Sequence, residues 1–182
     1  MALIEKTNPV GLDLRIAKFN AYLFDRLGFA DDVYESYPRI YSNKAIRDGR
    51  EIVVPEHFIS GKDYKNVAFD DTFALSSFYY QDTQDTHAEQ VGTVRVSLIV
   101  QAQLDKLYPS APHRFDEELK GRIEQLSNKY YAYDQFKLVD TFITVDNVYR
   151  DFTTSHLEFT DMHPFYVVRF EYLVRYNPNE TC

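Results

Sequence analysis

Five histidines, His57, His87, His113, His156 and His163, are the side chains best suited to move a proton or hold a metal near neutral pH. None falls in an HxH or HxxxH pair, so no two rings are set on one face of a strand or helix by spacing alone. Asp161-Met162-His163 offers two ligands and Asp70-Asp71 a pair of carboxylates. A metal centre needs three or four converging ligands, and both arrangements are ordinary at turns and strand ends. His163 stands before Pro164, where the residue is held extended, and reads better as the entry to a strand. The expectation is no bound metal and no cofactor.

Nucleophilic catalysis fares no better. There is no GxSxG elbow, and the single cysteine, Cys182, is the last residue, which excludes an internal disulfide and a cysteine zinc cluster. The six glycines are dispersed, with neither GxGxxG nor GxxxxGK[ST], so those routes to nucleotide binding are closed. Two carboxylates can meet in space without a mark in sequence, which leaves a small hydrolase or isomerase as a reading that requires a deep pocket with perturbed acids. The chain is expected not to be an enzyme.

The elements that would position any site are clearer. Asn8-Pro9 reads as an N-cap with proline in the first turn. Leu12, Ile16, Phe19, Leu23 and Leu27 then recur at helical steps until Gly28 stops the helix. From Tyr37 to Tyr80 short apolar runs predict strands: 39–41, 51–54, 64–69 and 73–80. Asp48-Gly49 is a hairpin signal. Gln81 to Gln90 reads as an exposed polar loop.

Val91 to Leu104 is the clearest strand. Val94, Val96, Leu98, Val100, Ala102 and Leu104 face a core, and Thr93, Arg95, Ser97, Ile99, Gln101 and Gln103 alternate with them on the other face. Pro109 and Pro112 precede a second helix, with Phe115, Leu119, Ile123, Leu126 and Tyr130 on its stripe and Asp116, Glu117 and Glu118 in its first turn. Strands are expected at 138–145, 156–159 and 164–176, the last with Arg169, Glu171 and Arg175 on its uncovered side. This order predicts one domain over 1–182 of the α+β class: an antiparallel or mixed β-sheet with two packed α-helices. Its core should unite Leu12, Ile16, Phe19, Leu23, Val96, Leu98, Val100, Leu119, Ile123, Phe170 and Tyr172.

A formal charge of −8 argues against sequence-specific nucleic acid, since affinity there comes from Lys and Arg displacing counterions. No stretch approaches the roughly 20 apolar residues that span a bilayer, and MALIEKTNPVGLD lacks a signal-peptide core, so the expected place of synthesis is the cytoplasm and no membrane is expected as partner. Aromatics are abundant: 15 Tyr and 14 Phe without Trp. One core does not use so many, and surface Tyr can bury area against a partner. Tyr34, Tyr37, Tyr79, Tyr80, Tyr131 and Tyr133, with Gln84 and Asp85 of the polar loop, are the candidate interface residues. Of each adjacent pair, Tyr79-Tyr80 and Tyr130-Tyr131, at least one ring should face outward.

The order of elements carried by Leu12–Leu27, Val94–Leu104, Phe115–Tyr130 and Phe159–Tyr176 resembles the tail terminator and head-tail joining ring proteins of tailed bacteriophages. MALIEKTNPVGLD and TDMHPFYVVRFEYLVRYN are similar to virion structural proteins of Bacteroidetes phages, including the crAss-like group. The resemblance implies a tail-terminator-like fold, no catalytic residues, and a virion protein made in the host cytoplasm. It implies a homo-oligomeric ring in the tail or head-tail neck that joins neighbouring tail, neck or portal proteins. The alternative is a non-catalytic binding module or inhibitor that recruits one partner through a Tyr-rich face.

Overall fold

The computed structural model describes residues 3–60, 63–68, 72–81, 86–88, 91–110, 114–131, 135–154 and 163–181. Helix α1 spans Leu12–Leu27 and buries its apolar stripe, and Gly28 ends it in the left-handed region at φ 69° with its N–H on the Phe24 carbonyl. Its start departs from expectation. Asn8 lies at φ 50° and the helix begins after Gly11, whose N–H donates to the Glu180 carbonyl at 2.9 Å. A Cβ on Gly11 would come 3.0 Å from the Pro178 carbonyl, and Arg15 pairs with Glu180 at 2.7 Å. Closure of the helix start onto the chain's last residues overrides the local capping signal at Asn8-Pro9.

Nine strands follow with three more helices: β1 Tyr34–Arg39, β2 Tyr41–Arg47, β3 Arg50–Ser60, β4 Asp63–Asn66, β5 Leu75–Gln81, β6 Thr86–Ala88, β7 Val91–Gln103, α2 Leu104–Leu107, α3 Asp116–Tyr131, β8 Phe136–Phe142, α4 Val145–Val148 and β9 Phe165–Tyr176. The main sheet runs β1-β5-β7-β9-β8, with β6 paired to the start of β7. Strands β1 and β5 are parallel and the other pairs antiparallel, so the sheet is mixed and the fold is α+β. A second, antiparallel sheet has the order β2-β3-β4. Helices α1 and α3 are the long ones; α2 and α4 are single turns, and Leu104 opens α2 where the alternation had extended the strand.

All eleven residues expected in one core are there together, with Tyr79, Tyr130 and Phe136 among them. Phe19 stacks on Phe136 at 4.3 Å and meets Tyr130 at 5.0 Å, which joins α1, α3 and β8.

The other face of the sheet corrects the reading of β7 and β9 as strands with one covered side. Ser97, Ile99 and Gln101 are buried, and so are Arg169 and Glu171, at 0 % and 1 % exposure. Val148, Tyr149 and Phe152 cover this face with Tyr37, Ile40, Val67, Phe78 and Val167. Polar residues survive there because they are partnered. Arg169 donates from Nε to Ser97 Oγ at 2.9 Å and from Nη1 to Asp151 at 2.6 Å. Gln101 accepts from the Tyr149 hydroxyl at 2.7 Å. Arg175 of β9 and Arg95 of β7 stay exposed as expected.

The polar stretch 81–90 is not all loop, since β6 lies within it. The strand expected at 156–159, Asp70-Asp71 and the Asp161-Met162 pair fall outside the described residues.

Candidate interaction surface

Asp48 and Gly49 both adopt positive φ, 50° and 74°, which is the geometry that lets a two-residue turn follow the twist of the strands it joins. The turn sets the β2–β3 register from Arg47↔Arg50 to Tyr41↔Glu56. With Arg47 and Arg50 as the closing pair, Ser42, Lys44 and Ile46 direct their N–H and C=O groups away from β3. No described strand lies on that side. The Lys44 N–H is taken by the Asn43 side chain at 2.9 Å, and among the described residues no strand pairs with the rest of the edge.

Six of the seven residues of β2 are exposed. Tyr41, Ile46, Phe58, Ile59 and Tyr64 belong to this three-stranded arm and make up five of the eleven large apolar side chains exposed among the described residues. Ile46 near the turn is 79 % exposed, and Phe58 packs edge-on against Tyr64 across β3–β4 at 5.4 Å. An apolar concentration of this kind on one small sheet marks an interaction surface.

The arm is anchored where it leaves the body. Asp13 of α1 accepts from Lys6 at 3.0 Å and from Arg39 at 2.9 and 3.2 Å. Beside them opens a cleft of about 340 Å³ lined in part by Glu5, Lys6, Arg39, Tyr41, His57 and Phe58. The His57 ring lies 5.4 Å from that of Tyr37, and its Nδ1 is buried without a hydrogen-bond partner among the described residues. Burial first, then the cations Lys6 and Lys65, lowers its pKa, so the imidazole is neutral at pH 7. Tyr37 donates its hydroxyl to Glu35 at 2.5 Å, and Glu35 also holds Lys65 at 3.0 Å. The cleft sets the neutral His57 ring between apolar Phe58 and Ile59 and the charged side chains of Glu5, Lys6 and Arg39. Among the described residues no three His, Cys, Asp or Glu side chains gather as a metal site requires.

A network of charges lies elsewhere, buried at Arg169 and Glu171 and exposed at Arg95 and Arg150. Glu171 is held by Arg95 at 2.8 Å and by Arg150, while Arg169 joins Asp151 and the Val148 carbonyl. This network fastens the α4 turn to the sheet.

The Tyr candidates divide. Tyr34, Tyr37 and Tyr79 are buried within the chain, a correction to their assignment as contact residues. Tyr34 stacks on Phe24 at 4.4 Å, and the Tyr79 hydroxyl donates to buried Asn20, which also accepts from Ser36 at 2.9 Å. A partnered hydroxyl removes the cost of burying the polar tip, so these rings serve the two cores. Tyr80 is half-buried against Phe152 at 5.0 Å, and Tyr131 at the end of α3 is exposed while Tyr130 is buried. One ring of each adjacent pair thus lies nearer the surface. Gln84, Asp85 and Tyr133 lie outside the described residues. The residues missed are Tyr41, Ile46, Phe58, Ile59 and Tyr64. Their signal was the Asp48-Gly49 hairpin, flanked by strands whose apolar residues interrupt polar ones on both faces.

No helix among the described residues is long and apolar enough to cross a membrane. No protein-family model, curated protein or solved structure matches the chain.

Proposed function

We propose that this chain is a non-catalytic structural protein that assembles with copies of itself into a ring, in the tail or head-tail neck of a phage particle, and joins neighbouring virion proteins there. The observation that carries the reading is the arm: a strand edge that no described strand covers and a concentration of exposed apolar side chains on one small sheet. A strand edge of this kind is a template for another chain, and a chain that leaves it regular and unguarded by proline or bulge has a use for it. The acidic body agrees with a protein that acts through its surface.

The alternative, a module recruiting one partner through a Tyr-rich face, loses much of that face with Tyr34, Tyr37 and Tyr79 buried. Native mass spectrometry separates the two. A ring gives discrete species at whole multiples of 21.4 kDa, and a single 21.4 kDa species at every concentration overturns it.

A further inference from the structure

The two ends of β1 differ in chemistry. Helix α1 runs antiparallel to β1, as three contacts along their length show: Phe24 on Tyr34, Asn20 with Ser36, and Asp13 with Arg39. The arm leaves beyond Arg39. The end of α1, the turn before Tyr34, α2 and the start of α3 gather at the opposite end, tied by the Ala74 N–H to the Val33 carbonyl and the Gln103 N–H to the Ala74 carbonyl.

At that far end three half-buried rings form a row, Phe29 to Tyr108 at 6.2 Å and Tyr108 to Phe115 at 4.8 Å. Phe115 sits at φ 63°, a strained conformation for a bulky residue that the surroundings must hold. Exposed Asp31, Asp32, Asp105 and Glu118 lie on the elements that gather at this end, together with the cations Lys106, Arg122, whose charge acts on Tyr108, and Arg114, which Asp116 holds at 3.0 Å.

Charge follows the same polarity. Residues 41–66 hold five Lys or Arg against four Asp or Glu, whereas the rest of the chain holds 15 against 24. Arg47 and Arg50 stand exposed at the tip of the arm on either side of the turn, next to Ile46. Arg47 and Arg50, with Asp48 between them, leave the turn at one end with a net positive charge beside Ile46, and Asp31 and Asp32 leave the turn before Tyr34 at the other end with a negative one.

We propose that the arm of one copy docks end-on against the far end of β1 in the next copy. Arg47 and Arg50 meet Asp31 and Asp32 there, and Ile46 packs on the row of Phe29, Tyr108 and Phe115. This rests on the assembly reading and names the contact that performs it. Because donor and acceptor surfaces lie at opposite ends of one chain, the contact is heterologous and repeats from copy to copy, closing into a ring when the rotation per copy divides the circle.

Charge reversal tests it by sedimentation velocity of the full chain. The double variants Arg47→Glu/Arg50→Glu and Asp31→Arg/Asp32→Arg each oppose like charges at the contact, so each alone should associate at least about ten-fold more weakly than wild type. An equimolar mixture places opposite charges at every contact of an alternating ring and should recover the wild-type assembly, which also shows that both variants fold. Assembly lost in the arm variant but unchanged in the Asp31/Asp32 variant overturns this contact and leaves assembly through the arm standing. Loss in both variants without recovery in the mixture overturns the contact as well. Wild-type sedimentation in both variants overturns the arm itself as the contact. A wild type that stays monomeric throughout removes the assembly reading and this inference together.

Discussion

Arg169 and His57 show how differently two polar side chains are treated by the same sheet system. Arg169 is enclosed and satisfied by Ser97, Asp151 and the Val148 carbonyl, with Glu171 Oε1 3.4 Å from its Nε. Arg169→Ala should therefore cost about 3–5 kcal/mol in chemical denaturation, because it strands a carboxylate and empties a packed site. Adding Asp151→Ala should return part of that loss. His57 is the opposite case, a ring with an unpartnered nitrogen and a pKa lowered below its usual 6.5. Below pH 6.5 the unfolded chain takes up the proton before the folded one, so stability falls as pH drops through the folded pKa. Thermal melts from pH 7.5 to 5 should show His57→Gln losing less stability on acidification than wild type. At this scale the sequence was least legible. Arg169 and Glu171 read as solvent-facing because alternation sees polarity and not partnership, and Tyr34, Tyr37 and Tyr79 read as surplus because a second core was not foreseen.

Among the elements, those with one long period were legible. Helices α1 and α3 and strands β7 and β9 follow their apolar spacing, and their expected core forms as one cluster. Leu98 is fully buried in it, and Leu98→Ala should destabilise by about 2–5 kcal/mol in the same assay. The β2–β3 hairpin was announced by Asp48-Gly49, and Gly49 at φ 74° has no atom within 4 Å of a built Cβ. Gly49→Ala should cost about 1 kcal/mol, all of it conformational. What stayed hidden was α4, a single turn too short to show a helical period. The start of α1 was hidden too, because a contact with the far end of the chain decides it. The hairpin itself was visible, but its role as an exposed arm follows only from what the rest of the chain leaves uncovered.

At the scale of the whole molecule, the strands β5, β7 and β9 are packed on both faces, and a second, smaller sheet rests on them through β3 with no described strand beyond β2. Most of the aromatic surplus goes into the two covered faces. Of the rest, Tyr41, Phe58 and Tyr64 lie exposed on the arm, where a neighbour can use them. An interface that is specific should bury at least about 1,000 Å² in total, and the arm with its root and a receiving surface is the place to look for it. The most direct measurement is a cryo-EM reconstruction of the particle that contains this protein. The account predicts a closed ring of copies with β2, Ile46 and Phe58 in contact with a neighbouring chain; a single copy in the particle, with no protein against the arm, would contradict it.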